Sequence, residues 1–401
     1  MSDNVIILGA GASYDAGIPL LGNFIDKMIE ISATGRGPRG VLKSEEQSIL
    51  KKALEIRNKI ENYHARVAID QFNLEQILSV LVFESQIGNS KGKRDLEIFS
   101  KAIATMIELT CNVMHDGKFN TIQESKKQVY CNFWKNLIWH HSAGMENIPT
   151  ILSFNYDLVL ERSLAQAIVG HKDFDFWRKT RFDGFQLDFQ SEACESPVFL
   201  LKQARWEGMP SEQKMGFILE QDKNVGEAES KNIAKIKILK LHGSLNFPHR
   251  KNEEEWSMVK AVENAKIIPP VFNKADSTFA SPIWKSALNE LRNCKNLIVC
   301  GYSLPTTDTY MQYFLKAALG PNLHLNKICV FDPELYKSDT KGEELKKRYM
   351  ECFSPQFKQR IDFQPSGKVS AGTKLGTFAH MVSLFAHEPA QLLFGLNPEE
   401  K

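Results

Sequence analysis

The segment NVIILGAGAS at positions 4–13 constrains the fold of this chain more than any other feature. A short run of apolar, β-branched residues leads directly into two glycines, which is typical of a buried parallel strand that ends in a tight turn. Glycine has no Cβ, so such a turn can bring backbone N–H groups close to a phosphate. The dinucleotide-binding fingerprint G-x-G-x-x-G needs glycine at position 14, which is Tyr14. The motif alone therefore leaves a nucleotide site and a plain tight turn both open.

Strand-like segments alternate with helical ones along much of the remaining chain, which predicts an α/β fold with a Rossmann-like parallel sheet and helices on both faces. Five predicted strands end in a polar or glycine-bearing turn. In open α/β sheets ligands bind outside the carboxyl ends of the strands. If the strands form one sheet, these turns lie along a single edge, here called the strand-end rim. Its members are 9–13, 155–157, 242–244, 301–303 and Asp332.

The whole chain, 1–401, is predicted to form one domain that carries two insertions. From about 42 to 145 the pattern is helical, and this stretch is too long for one crossover between strands, so we interpret it as a helical insertion. Its stripe of apolar residues in FNLEQILSVLVFE at 72–84 is interpreted as core. Polar stretches at about 205–232 predict a mobile insert.

Composition excludes several classes of protein. The net charge of +2 indicates no overall attraction to nucleic acid, although a local basic patch would allow direct binding. No signal peptide and no apolar run near the length of a membrane span is found, so we expect a cytoplasmic protein with no membrane partner. The seven cysteines are scattered and form no C-x-x-C pair, so neither a disulfide framework nor a paired-cysteine zinc site is expected.

Individual rim residues suit binding or catalysis, but each also has a structural interpretation. The side-chain amide of Asn155 could hold a ribose hydroxyl or a water, and Asp157 could accept a hydrogen bond or cap the following helix. His242 could act as a base near neutral pH or be structural. Gly301 and Ser303 could contact a phosphate or form only a turn. No metal-ligand spacing is found among the ten histidines.

Taken in order, the motifs resemble those of the sirtuin superfamily. The matching segments are G-A-G-A-S at 9–13, A-G-I-P at 16–19, S-F-N-Y-D at 153–157, L-H-G-S at 241–244 and G-Y-S-L at 301–304. The resemblance implies a sirtuin-type Rossmann-like domain that binds NAD across the strand-end rim. It also implies that the bond between nicotinamide and ribose is cleaved through an oxocarbenium-like state.

The resemblance assigns roles to residues of this chain. Asn155 and Asp157 would lie at the nicotinamide ribose, with Asn155 positioning the ribose or a water, and His242 would be the general base at a ribose hydroxyl. The glycine turn would face the pyrophosphate, Gly301 and Ser303 the adenosine side, and Asp332 the adenine ribose. The NAD-binding residues implied in this way are Gly9, Ala10, Gly11, Ala12, Ser13, Asp15, Gly17, Ile18, Pro19, Phe154, Gly301, Ser303 and Asp332.

The sequence also departs from deacylase sirtuins. It has no pair of C-x-x-C motifs for their zinc, and Leu20-Leu21-Gly22 stands where they carry Asp-Phe-Arg. It is more similar to prokaryotic sirtuin-like NAD hydrolases of antiphage defence, in which water is the acceptor. That resemblance implies NAD as substrate and no zinc. It further implies a homo-oligomer and a separate partner, such as a hexameric translocase-type ATPase or an Argonaute-like protein. A non-catalytic subunit that binds NAD or ADP-ribose and an NAD-dependent protein deacylase remain as alternatives.

Overall fold

The structure is a computed structural model of the 401-residue chain. It describes residues 3–61, 69–70, 72–88, 90–113, 124–142, 148–169, 182–191, 198–205, 215–222, 232–248, 260–269, 280–306 and 308–387.

Strands and helices alternate over most of the described residues. The strands are β1 (Asn4–Leu8), β2 (Arg36–Gly37), β3 (Gly40–Val41), β4 (Thr150–Ser153), β5 (Gly184–Asp188), β6 (Val198–Arg205), β7 (Met215–Asp222), β8 (Ile233–Lys240), β9 (Gly243–Ser244), β10 (Lys266–Ile267), β11 (Asn296–Cys300), β12 (Lys327–Phe331) and β13 (Ile361–Asp362). The α-helices are α1 (Phe24–Thr34), α2 (Ser44–Glu61), α3 (Leu74–Gln86), α4 (Ser90–Thr110), α5 (Glu124–Ser142), α6 (Val159–Val169), α7 (Ala280–Asn293), α8 (Thr309–Leu319), α9 (Thr340–Met350) and α10 (Phe378–His387).

Within this part of the chain, nine strands form one sheet in the order β13-β12-β11-β1-β4-β8-β5-β6-β7. From β13 to β5 every pair is parallel, whereas β6 pairs antiparallel with both β5 and β7. The central strands β1, β4 and β11 are buried along their whole length, as expected for parallel strands covered on both faces. The predicted α/β fold with a mostly parallel sheet is therefore confirmed.

The register of the central strands aligns their last residues in one row. Leu8 of β1 lies opposite Cys300 of β11 and Ser153 of β4. Cys300 in turn lies opposite Phe331, and Ser153 opposite Lys240. Because these five strands are parallel and end together, the turns that follow them emerge at the same edge of the sheet. The predicted strand-end rim is thus a physical feature of the fold.

The sheet changes its winding direction at β1. The chain passes from β1 to β4 on one side, and from β11 to β12 on the other. In open α/β sheets a crevice forms at the carboxyl ends of the two strands where the direction reverses. Here that position lies between the turns after β1 and β11, at 9–13 and 301–303.

Four helices, α2 to α5, lie within the segment predicted as a helical insertion. Helices α3 and α4 pack against each other and α2 packs on α4, while α5 packs on α6 and α10. Four members of the apolar stripe on α3 are buried, as predicted for core residues: Leu74, Ile77, Leu78 and Leu81. Phe72, in contrast, is 41% exposed.

Secondary structure that the sequence pattern does not predict occurs after β1 and in the predicted mobile insert. The turn after β1 continues into a 3-10 helix at Ala10–Ala16, which ends at Gly17 with a left-handed φ of 90°. Helix α1 therefore begins only at Phe24, after this segment and a shorter 3-10 turn. The segment predicted as a mobile insert contains strand β7, paired with β6. The other parts of that insert, 206–214 and 223–231, lie outside the described residues.

Candidate functional site

The turns after β1 and β11 are in direct backbone contact. The N–H of Gly9 donates to the Cys300 carbonyl, and the N–H of Gly11 donates to the Gly301 carbonyl, both at 3.0 Å. A Cβ on Gly9 would overlap the Gly301 carbonyl oxygen, and one on Gly11 would lie 2.8 Å from the Gly301 Cα. The glycines are thus needed for packing between the two turns. Two of the N–H groups expected to face a pyrophosphate are engaged within the protein.

The turn after β11 has a constrained backbone. Gly301 has a φ of +67°, and buried Leu304 has a φ of +46°, in the left-handed region that non-glycine residues rarely adopt. Hydrogen bonds from α9 hold this turn: Tyr349 Oη donates to the Tyr302 carbonyl, and Arg348 Nε donates to the Ser303 carbonyl at 3.1 Å. Strained backbone of this kind concentrates at functional sites.

Tyr302 connects the same turn to its neighbours. Its hydroxyl donates to Asp308 Oδ2 at 2.8 Å, and its ring stacks on Phe154 with 4.6 Å between centroids. Asp308 also caps α8 by accepting from the Met311 N–H. Burial, followed by the nearby Asp308 carboxylate, raises the pKa of Tyr302 well above its usual value. The hydroxyl therefore remains a proton donor at physiological pH.

The turn after β4 is fastened to the glycine turn through Asn155. Its Nδ2 donates to the Gly9 carbonyl and to Ser13 Oγ, both at 2.9 Å. Its own N–H donates to Ser153 Oγ at 3.1 Å. Both amide hydrogens are therefore used to orient the glycine turn, and the amide oxygen is the atom that can serve a ligand.

Asp157 combines both of the roles considered from the sequence. Its Oδ1 accepts from the Val159 N–H at 3.0 Å, which caps α6, yet the residue also lines the cavity described below. Its carbonyl accepts from Lys240 Nζ, which lies 3.2 Å from Glu161 Oε1. Both charged side chains are fully buried. Burial raises the pKa of the Glu161 carboxyl, and the lysine beside it opposes that shift.

His242 follows β8 and packs between two aromatic rings. The ring centroids of Phe154 and Tyr156 lie 5.1 Å and 6.2 Å from its imidazole. Its backbone carbonyl accepts from the Ile268 N–H at 2.7 Å. The residue is only 6% exposed, so contact with a ligand requires that the ligand enter the cavity.

These turns surround a cavity of about 150 Å³. Of the residues predicted from the sequence, the structure brings ten together in its lining: Ala10, Ser13, Ile18, Pro19, Phe154, Asn155, Asp157, His242, Gly301 and Ser303. The others, which do not line it, are Gly9, Gly11, Ala12, Asp15, Gly17 and Asp332. The first three belong to the glycine turn itself.

Asp332 lies on the same rim but farther along it, after β12. Its side chain accepts from the Glu334 N–H at 2.9 Å and so caps a short 3-10 helix. Burial raises the pKa of this carboxyl. The role implied at the adenine ribose stays a prediction.

The helical insertion supplies part of the cavity wall, which sequence reasoning missed. Leu74 and Glu75 come from the first turn of α3, and Ile103 and Ile107 come from α4. Asn73 caps α3 by accepting from the N–H groups of Glu75 and Gln76. An N-cap asparagine before an apolar stripe is visible in the sequence. It predicts where the helix begins, but not that this end meets the strand-end rim.

The cavity offers backbone donors at its polar edge. The N–H groups of Ala10, Tyr302 and Ser303 have no hydrogen-bond partner among the described residues, and all three residues line the cavity. Grouped backbone N–H groups of this kind bind anionic oxygens. Much of the remaining lining is apolar, which suits a flat ring. The residues present therefore fit a ligand that carries anionic oxygens and a flat ring, as a nucleotide does.

The described part of the chain contains neither a metal-binding cluster nor a membrane-spanning helix. No group of three or more His, Cys, Asp or Glu side chains there could hold a metal ion. None of its helices is both long enough and apolar enough to cross a membrane.

Comparisons with known proteins give only distant likenesses. No family model matches the chain, and no curated protein matches it. A structure from work on the mechanism and regulation of Sir2 enzymes is 12% identical, with a TM-score of 0.30, and the match covers 95% of this chain and 91% of that one.

Two other structures are similar at the same level. One, of a Sir2 homologue in complex with NAD, is 12% identical with a TM-score of 0.27, covering 87% of this chain and 88% of that chain. The other, of a Sir2 homologue variant with ADP-ribose, is 11% identical with a TM-score of 0.25, covering 87% and 91%. At such low scores these likenesses decide neither the activity nor the substrate of this chain.

Proposed function

We propose that this chain is a sirtuin-like NAD glycohydrolase that cleaves NAD to nicotinamide and ADP-ribose. The observation that carries the proposal is the convergence of Asn155, Asp157 and His242 on one cavity, at the point where the sheet reverses its winding. Asn155 and Asp157 follow β4, whereas His242 follows β8. Asp157 and His242 are 85 residues apart in the sequence (242 − 157). The sequence motifs are the reason for proposing NAD, and not another nucleotide, as the substrate.

Each polar residue has a role that its contacts support. Asn155 holds the glycine turn with its amide hydrogens and turns its amide oxygen toward a ribose hydroxyl or a water. His242 accepts the proton from a ribose hydroxyl. Asp157, fixed by the Val159 N–H and by Lys240 beneath it, presents a carboxylate near the bond that breaks. A carboxylate at that place stabilises developing positive charge.

The partnerless N–H groups of Ala10, Tyr302 and Ser303 would receive the diphosphate oxygens. The apolar wall from α3 and α4 would cover the nicotinamide ring and limit the entry of bulk water. A restricted cavity strengthens every electrostatic contact inside it. When bound, NAD supplies a cationic leaving group, so the protein need not protonate it.

A role in antiphage defence, through depletion of NAD, is part of the proposal and rests on the order of the motifs. The same order of motifs supports three further parts of the proposal. These are a homo-oligomer, a separate partner such as a hexameric translocase-type ATPase or an Argonaute-like protein, and a cytoplasmic location. Protein deacylation is the second candidate. It is disfavoured by the sequence, which lacks the paired zinc cysteines.

The proposal is tested by incubating the purified chain with NAD and quantifying nicotinamide and ADP-ribose. Wild type should release both in equal amounts. Asn155→Ala and His242→Ala should each lower the rate by about 100-fold or more, the usual contribution of a general base or a positioned polar group. Thermal unfolding checks that the variants fold. Saturable NAD binding without any nicotinamide release would instead support the non-catalytic binding subunit.

A further inference from the structure

A buried ion pair connects the end of β8 to the helix that follows β4. Lys240 is the last residue of β8, and Glu161 lies in the first turn of α6. Lys240 Nζ and Glu161 Oε1 are 3.2 Å apart, and both side chains are at most 1% exposed. Neither residue lines the cavity, so the pair can affect a ligand only through the residues that it holds.

Such a pair contributes little net stability. Removing an ammonium and a carboxylate from water costs free energy that their mutual attraction only partly offsets, and apolar side chains of similar volume are often at least as stable. In the described part of the structure the Glu161 carboxylate accepts no hydrogen bond, which leaves the Lys240 ammonium to offset its burial. The presence of the pair at this position therefore points to a role other than stability.

The Lys240 ammonium also holds the backbone of Asp157. Its Nζ donates to the Asp157 carbonyl, while the Asp157 side chain caps α6 through the Val159 N–H. Because the side chain is attached to this backbone, a fixed carbonyl restricts where the carboxylate can lie. Lys240 therefore helps to set the position of the Asp157 carboxylate, which lines the cavity.

The same lysine lies two residues before His242 in the sequence. The N–H of the residue between them, Leu241, donates to the Ser153 carbonyl at 2.9 Å and so continues the pairing of β8 with β4. Past this bond, the Lys240 ammonium extends the connection to Asp157. Lys240 thus links the segment that carries His242 to the segment that carries Asp157.

We propose that Lys240, paired with Glu161, is a positioning residue that fixes the Asp157 carboxylate and the His242 imidazole relative to each other for the cleavage of NAD. The inference rests on the proposed function, because Asp157 and His242 act there on the bond that breaks. Reacting groups must be held within about 0.5 Å of their productive geometry. Loss of Lys240 should therefore slow the chemical step, whereas binding should stay largely intact because Lys240 does not line the cavity.

The test is steady-state NAD hydrolysis by the double variant Lys240→Met/Glu161→Gln, which leaves no buried charge at the pair. Thermal unfolding shows whether this variant is folded. Its kcat should fall by about 10- to 100-fold, the range expected when a reacting group is misplaced by up to about 1 Å. Its KM should stay near the wild-type value. A purely structural role predicts instead that the folded double variant keeps the wild-type kcat.

A second ion pair on the same strand provides the matched control. Lys237 Nζ of β8 lies 2.8 Å from Glu290 Oε1 of α7, and neither residue lines the cavity. Lys237→Met/Glu290→Gln should leave both kcat and KM unchanged. A fall in kcat as large as that of the first double variant would show that loss of any ion pair along β8 slows turnover, which contradicts the inference.

The outcomes separate the two proposals. If wild type releases nicotinamide and the folded double variant keeps the wild-type kcat, or changes in KM alone, the inference is wrong while the proposed function survives. If wild type releases no nicotinamide, both are wrong. Should the double variant fail to fold, Lys240→Arg decides. It keeps a positive charge beside Glu161 but presents a planar fork of donors to the Asp157 carbonyl. The kcat should then fall at unchanged KM, and a wild-type kcat would contradict the inference.

Discussion

The strand-end rim and the helical insertion line the same cavity but build it in different ways. The rim contributes backbone groups and short polar side chains whose positions are set by sheet register, as in the row from Phe331 to Lys240. The insertion contributes apolar side chains and one carboxylate, placed by helix packing. We therefore expect the rim to control the chemistry and the insertion to control which ligand enters.

The two regions should also differ in tolerance to substitution. The rim turns contact each other through glycine backbones, so an added atom there causes a clash. The rim also rests on a buried ion pair, where removal of one partner leaves the other unpaired. The wall of the insertion consists mostly of apolar side chains, so a small change in their size leaves no polar group unpaired. Substitutions that disturb each region in turn test this difference.

The largest effect is expected at the buried ion pair beneath the rim. Lys240→Met leaves the buried Glu161 carboxyl without the positive charge beside it, which should lower the free energy of unfolding by about 3–5 kcal/mol. The double variant Lys240→Met/Glu161→Gln should recover much of this, because no buried charge remains. Denaturant unfolding of the two single variants and the double variant measures the coupling. Additive losses would show that the two side chains do not interact.

The contact between the two glycine turns should give the next largest effect. Gly301→Ala adds a Cβ that overlaps the Ala12 nitrogen at a residue with left-handed φ. Together, the backbone and steric costs should lower unfolding free energy by about 3 kcal/mol. Gly372→Ala has a similar φ, +79°, but nothing within 4 Å of the added atom, so it isolates the backbone cost. Equal losses in both variants would refute a role for the contact.

A substitution in the insertion should cause a smaller loss of unfolding free energy. Ile103→Val removes one methylene from the cavity wall and should lower the free energy of unfolding by about 1 kcal/mol. Its main effect should be a higher KM for NAD with little change in kcat, because in the proposed binding mode the wall covers the ring and does not touch the bond that breaks. Steady-state kinetics provides the measurement. A fall in kcat at constant KM would place the insertion in the chemistry.

The smallest effect concerns the outer end of the rim. His380 Nδ1 accepts from the Gly376 N–H at 3.1 Å, beside the turn after β12, and burial lowers the pKa of this imidazole. The folded state therefore favours the neutral ring. Stability should be constant above the unfolded pKa near 6.5 and should fall as pH drops from there through the lower folded pKa.

His380→Asn keeps an acceptor for Gly376 but cannot titrate. The free energy of unfolding should therefore change less with pH in this variant than in wild type. It is measured between pH 7.5 and 5.5, a range of about two units around the histidine pKa. His387→Asn, at the exposed end of the same helix, serves as the control and should behave like wild type. A wild-type pH response in His380→Asn would contradict the assignment.

The sequence allowed prediction of the rim but not of its surroundings. Strand β1 and the turn at 9–13 are readable because β-branched runs and glycines are local signals. The register that joins Leu8 to Cys300 and Ser153 follows from strand order, which is a property of the whole sheet. The sequence predicts a single rim if the strands belong to one sheet, and it does not show that they do.

Two features could not be predicted for physical reasons. Glu75 reaches the cavity only because α3 packs against α4 with its first turn facing the rim, and no local pattern encodes that distant contact. The glycines at 9 and 11 favour a phosphate site in the sequence, and the structure shows that they also admit the Gly301 turn. A missing Cβ indicates close approach, but it does not identify what approaches.

The most direct test of the account is the stoichiometry of NAD turnover in the presence of an acetyl-lysine peptide. The purified chain should release one nicotinamide and one ADP-ribose per NAD consumed, at a rate independent of the peptide, and leave the peptide acetylated. His242→Ala should abolish this release. Nicotinamide release that requires the peptide and yields deacetylated lysine would contradict the account and assign the same site to a deacylase.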